Sequence, residues 1–173
     1  GAYRRAACVG DFRGVISLEA LPAKGASSRP RALLRAPMEA ASVLPELVRR
    51  ARNLADLDAD VEAIAAALAA VPALRPLVER FGAPRVPGAW DPFEVAVRAI
   101  LGQQVSVAAA ATLAGKLAAR WGAPLEDSEG GRWRCFPDAE TLAAAELEEL
   151  PMPKARIRAL RALVQAVARG ELS

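Results

Sequence analysis

The residues of this chain best suited to recognition chemistry are two adjacent amides. Gln103 and Gln104 stand in ILGQQVS (100–106), where an apolar helical run stops at Gly102 and resumes at once. A carboxamide carries both a donor and an acceptor, so it can cap an open backbone group or pair with another polar edge, that of a nucleobase included. Two readings follow. In one, the amides belong to a polar interhelix turn and satisfy groups left open at two helix ends. In the other, a tight glycine-containing turn braced by packed helices presents Gln103 and Gln104 to a partner at small entropic cost. Residue types alone leave both open.

Other chemistries are poorly provided for. The chain has no histidine, and its 2 cysteines, Cys8 and Cys135, stand at no metal-ligand spacing. A zinc site and imidazole acid–base catalysis are therefore not expected. Two thiols in a cysteine-poor chain read as free and reduced, which fits a cytoplasmic protein, with a single disulfide between them as the alternative. The aspartates, Asp11, Asp56, Asp58, Asp60, Asp91, Asp127 and Asp138, all occupy turn or helix-start positions. The net charge is +3 and the pI about 9.3. Basic residues cluster at Lys154, Arg156, Arg158 and Arg161, at Arg29, Arg31 and Arg35, and at Arg49, Arg50 and Arg52. Each cluster alone reads as a solvated face; together they permit a polyanionic partner. The most apolar stretch, Val105–Ala119, is interrupted by Ser106, Thr112 and Lys116 and reads as a buried helix rather than a membrane span. The opening GAYRRAACVGDF lacks the apolar centre of a signal peptide.

Positioning these groups requires elements whose pattern changes once along the chain. YRRAACV, a Gly10-Asp11 turn, FRGVISLEAL and, after the polar break KGASSRP, RALLRAP predict two or three short antiparallel strands within 3–36. From Met38 onward the pattern is helical. Leu44, Leu47 and Val48 form one apolar face, and Val61, Ile64 and Leu68 another after the acidic start Asp56, Asp58, Asp60 and Glu62. PALRPLVERF is closed by Gly82. The proline-punctuated APRVPGAW divides an α+β part, 1–88, from a helical part, 89–173. Asp91 then caps a helix with Pro92 at its first position, and Phe93, Val97, Ile100 and Leu101 line one side of it. Beyond the glutamines, Ser106 caps a helix carrying the ladder Val105, Ala109, Leu113, Leu117 and Trp121. Alanines 108–111 leave room for a neighbouring helix, and Gly122 ends the run. A polar loop, APLEDSEGGRWRC, and two further helices complete the reading.

Three segments carry a resemblance. DPFEVAVRAILGQQVS (91–106), FPDAETLAAAEL (136–147) and MPKARIRALRAL (152–163) resemble the alkylpurine DNA glycosylases of the helix–hairpin–helix superfamily, the DNA-3-methyladenine glycosylase II type. YRRAACVGDFRGVISL (3–18) is similar to the later strands of that family's TBP-like N-terminal sheet. The resemblance implies base-excision repair, in which a damaged base such as 3-methyladenine is flipped from the duplex and its glycosidic bond hydrolysed. It implies that Gln104 is the wedge filling the vacated gap, where some relatives carry leucine. Gln103 then faces the base pocket, and Gly102 and Ser106 belong to the DNA-contacting turn. The implied partner is double-stranded DNA containing alkylated bases, bound by a monomer with no cofactor and no metal in this segment.

The family's LPGIG hairpin and the catalytic aspartate beyond it have no counterpart in 1–173, and ELPMPKAR matches the helix before that hairpin. The expected fold class is thus α+β: a short antiparallel sheet, an incomplete TBP-like part, followed by an all-helical glycosylase-type bundle without a catalytic residue. Two alternatives stand beside it, a non-catalytic DNA-binding or regulatory domain of the same family and a helical protein-interaction module.

Overall fold

The computed structural model describes residues 1–22 and 31–172; the KGASSRP break from Lys24 on, with Arg29, lies outside them. Strand β1 (Tyr3–Val9) turns through Gly10, at φ 54°, into β2 (Phe12–Leu21), so that Val9 faces Phe12 and Ala6 faces Val15. A positive φ costs glycine almost nothing, which is why the chain can reverse in two residues. β3 (Arg31–Arg35) pairs antiparallel with β2, giving the order β1-β2-β3.

Phe12, Gly14 and Ile16 alternate on the inner face of β2. Against them pack Ala40 of a 3-10 turn (Met38–Val43), Leu47 and Ala51 of α1 (Leu44–Leu54), and Trp90 from the connector. The face expected on α1 is corrected here: Leu44 and Val48 are 45% and 41% exposed, and the buried stripe is Leu47 with Ala51, one turn apart. Helices α2 (Val61–Ala69) and α3 (Arg75–Phe81) lean on each other, and neither has a fully buried residue. Asp60 caps α2 by accepting from the Ala63 N–H, and Gly82, at φ 74°, ends α3.

A second core lies among α4 (Pro92–Leu101), α5 (Val107–Trp121), α6 (Ala139–Ala143) and α7 (Lys154–Ala168), where Val97, Leu101, Leu117, Leu142, Leu147, Leu160 and Val164 are fully enclosed. Asp91 caps α4 by accepting from the Glu94 N–H at 3.0 Å, with Pro92 in the first turn. On α5, Leu113 and Leu117 are buried and Trp121 half-buried, but Val105 precedes the helix and Ala108 and Ala111 face outward.

The α+β class holds, and three expectations are corrected. The polar loop 123–135 folds into a hairpin, β4 (Pro124–Glu126) against β5 (Arg132–Arg134), so the second part is not all-helical. The Asp127 carboxylate makes that turn: it accepts from the N–H groups of Glu129 and Gly131, from Trp133 Nε1 at 2.9 Å and from Arg4 at 2.8 Å. These donors hold its pKa below the usual carboxylate value, the Trp133 bond foremost. Secondly, AETLAAAELEEL is not one helix. The chain leaves α6 at Ala144 and makes a 3-10 turn at Leu147–Glu149, which turns Ala145, Leu147 and Leu150 into the core. Thirdly, the alternative holds for the cysteines: Cys8 and Cys135 are not free thiols but form the single disulfide, with Cα atoms 6.2 Å apart across 127 residues of sequence, because β5 lies beside β1. Among the described residues no helix is long and apolar enough to cross a membrane.

Candidate nucleic-acid interface

The glutamine turn joins two amphipathic helices, each anchored in the core along one face, so the buried helix expected over Val105–Ala119 is buried on one side only. α4 is anchored by Val97 and Leu101, both fully enclosed, and its last turn closes with the Gly102 N–H donating to the Arg98 carbonyl at 2.9 Å. Gly102 has an ordinary φ of −83°, so its value is spatial. A Cβ there would stand 3.2 Å from the Arg98 carbonyl oxygen and 3.7 Å from the Ala110 Cβ. The Gln103 N–H donates to the Ile100 carbonyl at 3.3 Å, and Ser106 caps α5 by accepting from the Ala109 N–H at 3.2 Å. The caps thus come from the backbone and Ser106. Neither glutamine side chain has a hydrogen bond within the described residues, and both are exposed.

Gln104 sits at φ 54°. A left-handed conformation is costly for a side chain without local compensation, and such strain gathers at functional positions. Asp56, at φ 51°, provides the contrast: its carboxylate accepts from the Val86 N–H at 2.9 Å and its carbonyl accepts from Arg85, so the strained residue latches the connector. The Gln104 side chain latches nothing among the described residues. The reading in which the amides serve as internal caps loses its support, and the two side chains are left facing outward.

Charge near the turn comes from an unexpected direction. Arg156, in the first turn of α7, reaches back to the Leu101 carbonyl at 3.5 Å, answering the negative end of α4. The cluster around it is dispersed, since Arg161 pairs with Glu148 at 2.7 Å while Lys154 and Arg158 stay exposed. The other clusters are also largely neutralised: Arg35 meets Glu19, Arg52 meets Asp58, and Glu46 binds both Arg49 and Arg50. Those two guanidiniums, Arg49 foremost, hold the Glu46 carboxyl at about 2.

A cleft of about 410 Å³ lies at the opposite end of α4, between the sheet and the helices, beside Arg5, Trp90, Glu94, Trp121, Phe136 and the disulfide. Gln103 and Gln104 do not line it. Glu94 is buried there, bonded to Arg5 at 2.7 Å and Arg98 at 2.8 Å, so this carboxylate is committed to structure. Five of the seven aspartates are likewise in use as caps or turn ligands: Asp60, Asp91 and Asp138 cap helices, and Asp56 and Asp127 bind backbone N–H groups, while Asp58 pairs with Arg52. The role of Arg156 beside the turn and the Asp127 cluster were not foreseen. Arg156 reaches the turn across 55 residues of sequence, and Asp127 joins three local donors to the remote Arg4.

Comparison with known proteins decides the lineage. The family described as the AlkA N-terminal domain matches residues 1–91. The chain belongs to the AlkA family. Relatives extend beyond that domain: the chain is 42% identical over 168 residues to a probable bifunctional transcriptional activator/DNA repair enzyme AlkA of Mycobacterium tuberculosis. It is 38% identical over 173 residues to DNA-3-methyladenine glycosylase 2 of Escherichia coli. Those matches cover 97% and 98% of this chain but only 32% and 57% of the relatives.

Among solved structures, a 3-methyladenine DNA-glycosylase from Archaeoglobus fulgidus shares the fold at TM-score 0.68 and 21% identity, covering 95% of this chain and 55% of that one. An 8-oxoguanine glycosylase/lyase from Clostridium acetobutylicum shares it at TM-score 0.67 and 19% identity, covering 100% and 54%. This AlkA-family chain therefore shares its fold with about half of each of these glycosylases, and the resemblance carried by its three segments is borne out.

Proposed function

We propose that this chain is the part of an alkylpurine DNA glycosylase that grips the duplex and holds the flipped state open, acting in base-excision repair. Residues 1–88 and 89–173 are its two units, and the catalytic carboxylate lies outside them. Gln104 is the wedge that enters the gap left by an extruded base, Gln103 faces that base, and Gly102 and Ser106 shape the turn. The observation that carries this reading is Gln104: left-handed, exposed, without a side-chain hydrogen bond among the described residues, and held at the junction of two helices anchored in one core. Flipping costs a few kcal/mol in lost stacking and pairing, and a side chain already standing in the gap offsets part of it. An amide does so by hydrogen bonding the orphaned base. The substrate class is double-stranded DNA with alkylated purines such as 3-methyladenine, as the names of the AlkA relatives suggest.

The test is fluorescence anisotropy of the chain with two duplexes, one intact and one carrying a tetrahydrofuran abasic site, at several salt concentrations. Tighter binding to the abasic duplex, with affinity falling as salt rises, is expected. Gln104→Ala abolishes the preference and Gln104→Leu keeps much of it. Equal affinity of wild type for both duplexes refutes the wedge, and absence of a salt slope refutes DNA binding altogether.

A further inference from the structure

The pairing of Cys8 with Cys135 is not needed for any step above, and its surroundings mark it as more than a staple. Cys8 is half-buried on β1, whereas Cys135 is 3% exposed. Both line the open cleft between sheet and helices, so the bridge is approached from solvent there, with Cys8 its more exposed partner. Cys135 also sits at a mechanical junction. Its N–H donates to the Ala123 carbonyl at 2.9 Å, it follows β5 directly, and the next residue, Phe136, packs on the helical core beneath Arg98. The remaining ties between the layers are non-covalent: the Arg5–Glu94 and Arg4–Asp127 pairs, Arg50 with Asp91, and Trp90 in the sheet core.

We propose that Cys8–Cys135 is a reversible thiol–disulfide site, a clamp between the N-terminal sheet and the helical layer that low-molecular-weight thiols open through the cleft. A thiolate attacks the Cys8 sulfur, the Cys8–Cys135 bond breaks, and Cys135 leaves as a thiolate that takes up a proton. A second thiol attacks the external sulfur of the mixed disulfide on Cys8. This releases the oxidised small-molecule disulfide and a protein thiol. Two electrons pass from two small thiols to the protein bridge; glutathione disulfide drives the same steps in reverse. Attack falls on Cys8 rather than Cys135 because Cys8 is the more exposed partner of the pair.

Bridging residues so far apart in sequence removes a large share of the unfolded chain's freedom, so the oxidised form melts higher by roughly 4–16 °C. The experiment treats the chain with glutathione disulfide, denatures it, alkylates it and weighs it. The expected product is a monomer that takes up no alkyl group until reduced and two after reduction, with a melting temperature that falls on reduction. The fall is absent in Cys8→Ser. In native single-thiol variants, glutathione disulfide modifies Cys8 in Cys135→Ser but leaves Cys135 unmodified in Cys8→Ser. Free thiols after oxidation, a disulfide-linked dimer, melting unchanged by reduction, or equal modification of the two cysteines each overturn the proposal. Wild type provides the first three readouts without any variant having to fold.

Discussion

The strain at Gln104 makes a prediction whose sign separates a recognition residue from a structural one. An L-residue in the left-handed region costs about 1–2 kcal/mol relative to its usual conformations, and glycine is nearly free of that cost. Glycine also gives the unfolded chain extra freedom, which offsets about 0.5–1 kcal/mol of the gain. With no hydrogen bond to lose from the exposed side chain, Gln104→Gly leaves the fold as stable as wild type or more stable by up to about 1 kcal/mol, a rise of roughly 2–4 °C in melting temperature. Gln104→Ala keeps the strained backbone and falls within about 0.5 kcal/mol of wild type. Both variants lose the preference for abasic DNA. The assay is urea unfolding followed by tryptophan fluorescence, paired with the anisotropy titration. A loss above about 1 kcal/mol in Gln104→Gly shows that the side chain holds the turn together, and the argument from strain to recognition then fails.

Three other outcomes follow from the geometry. Leu117→Ala, which empties a fully enclosed site, costs about 2–5 kcal/mol in urea unfolding, and Val107→Ala, at a position 88% exposed, changes stability by less than about 0.5. The Glu46 carboxyl, held at about 2 by Arg49 and Arg50, contributes stability that is complete above pH 4.5 and is lost as pH falls toward 2; acid titration of the unfolding free energy shows a shallower decline for Glu46→Gln. The chain by itself releases no 3-methyladenine from alkylated DNA above a heat-killed control, because its described aspartates cap helices or close turns and Glu94 is tied to Arg5 and Arg98.

What was legible in the amino acids was local chemistry. Asp91 followed by Pro92, Ser106 before the alanine run, and glycines at 10, 82 and 122 mark starts and stops that depend on a residue's own backbone and its near neighbours. The strands β1 and β2 were readable for the same reason, since a tight turn sits between two β-branched and aromatic runs. The hairpin at 124–134 was not. Its strands have three residues each, too short for alternation to register, and its turn is organised by a carboxylate that also needs Arg4 from the other end of the chain. The disulfide stood only as the alternative to free thiols for a related reason: nothing near Cys8 announces Cys135. The glutamine pair was visible as an oddity, yet its left-handed backbone is not written in residue type, because glutamine has no preference for that conformation.

The wedge role proposed for Gln104 requires a joint that resists force. A side chain pressed into a stacked duplex must not be pushed back, and a free loop would yield. Gln104 sits between the end of α4 and the start of α5, whose nearest anchors, Leu101 and Leu113, are buried in a single core shared with α7. Gly102 brings the helices close enough for Ala110 to lie beside it, and Arg156 holds the last carbonyl of α4. At its far end α4 is seated by Glu94 between Arg5 of the sheet and Arg98 of its own next turn. A paired charge with low exposure fixes orientation more than it adds stability, because a misplaced guanidinium or carboxylate there would lie buried without a partner. The helix behind the glutamines is thereby fixed in position at both ends, and displacing the turn requires disturbing two layers of the fold at once.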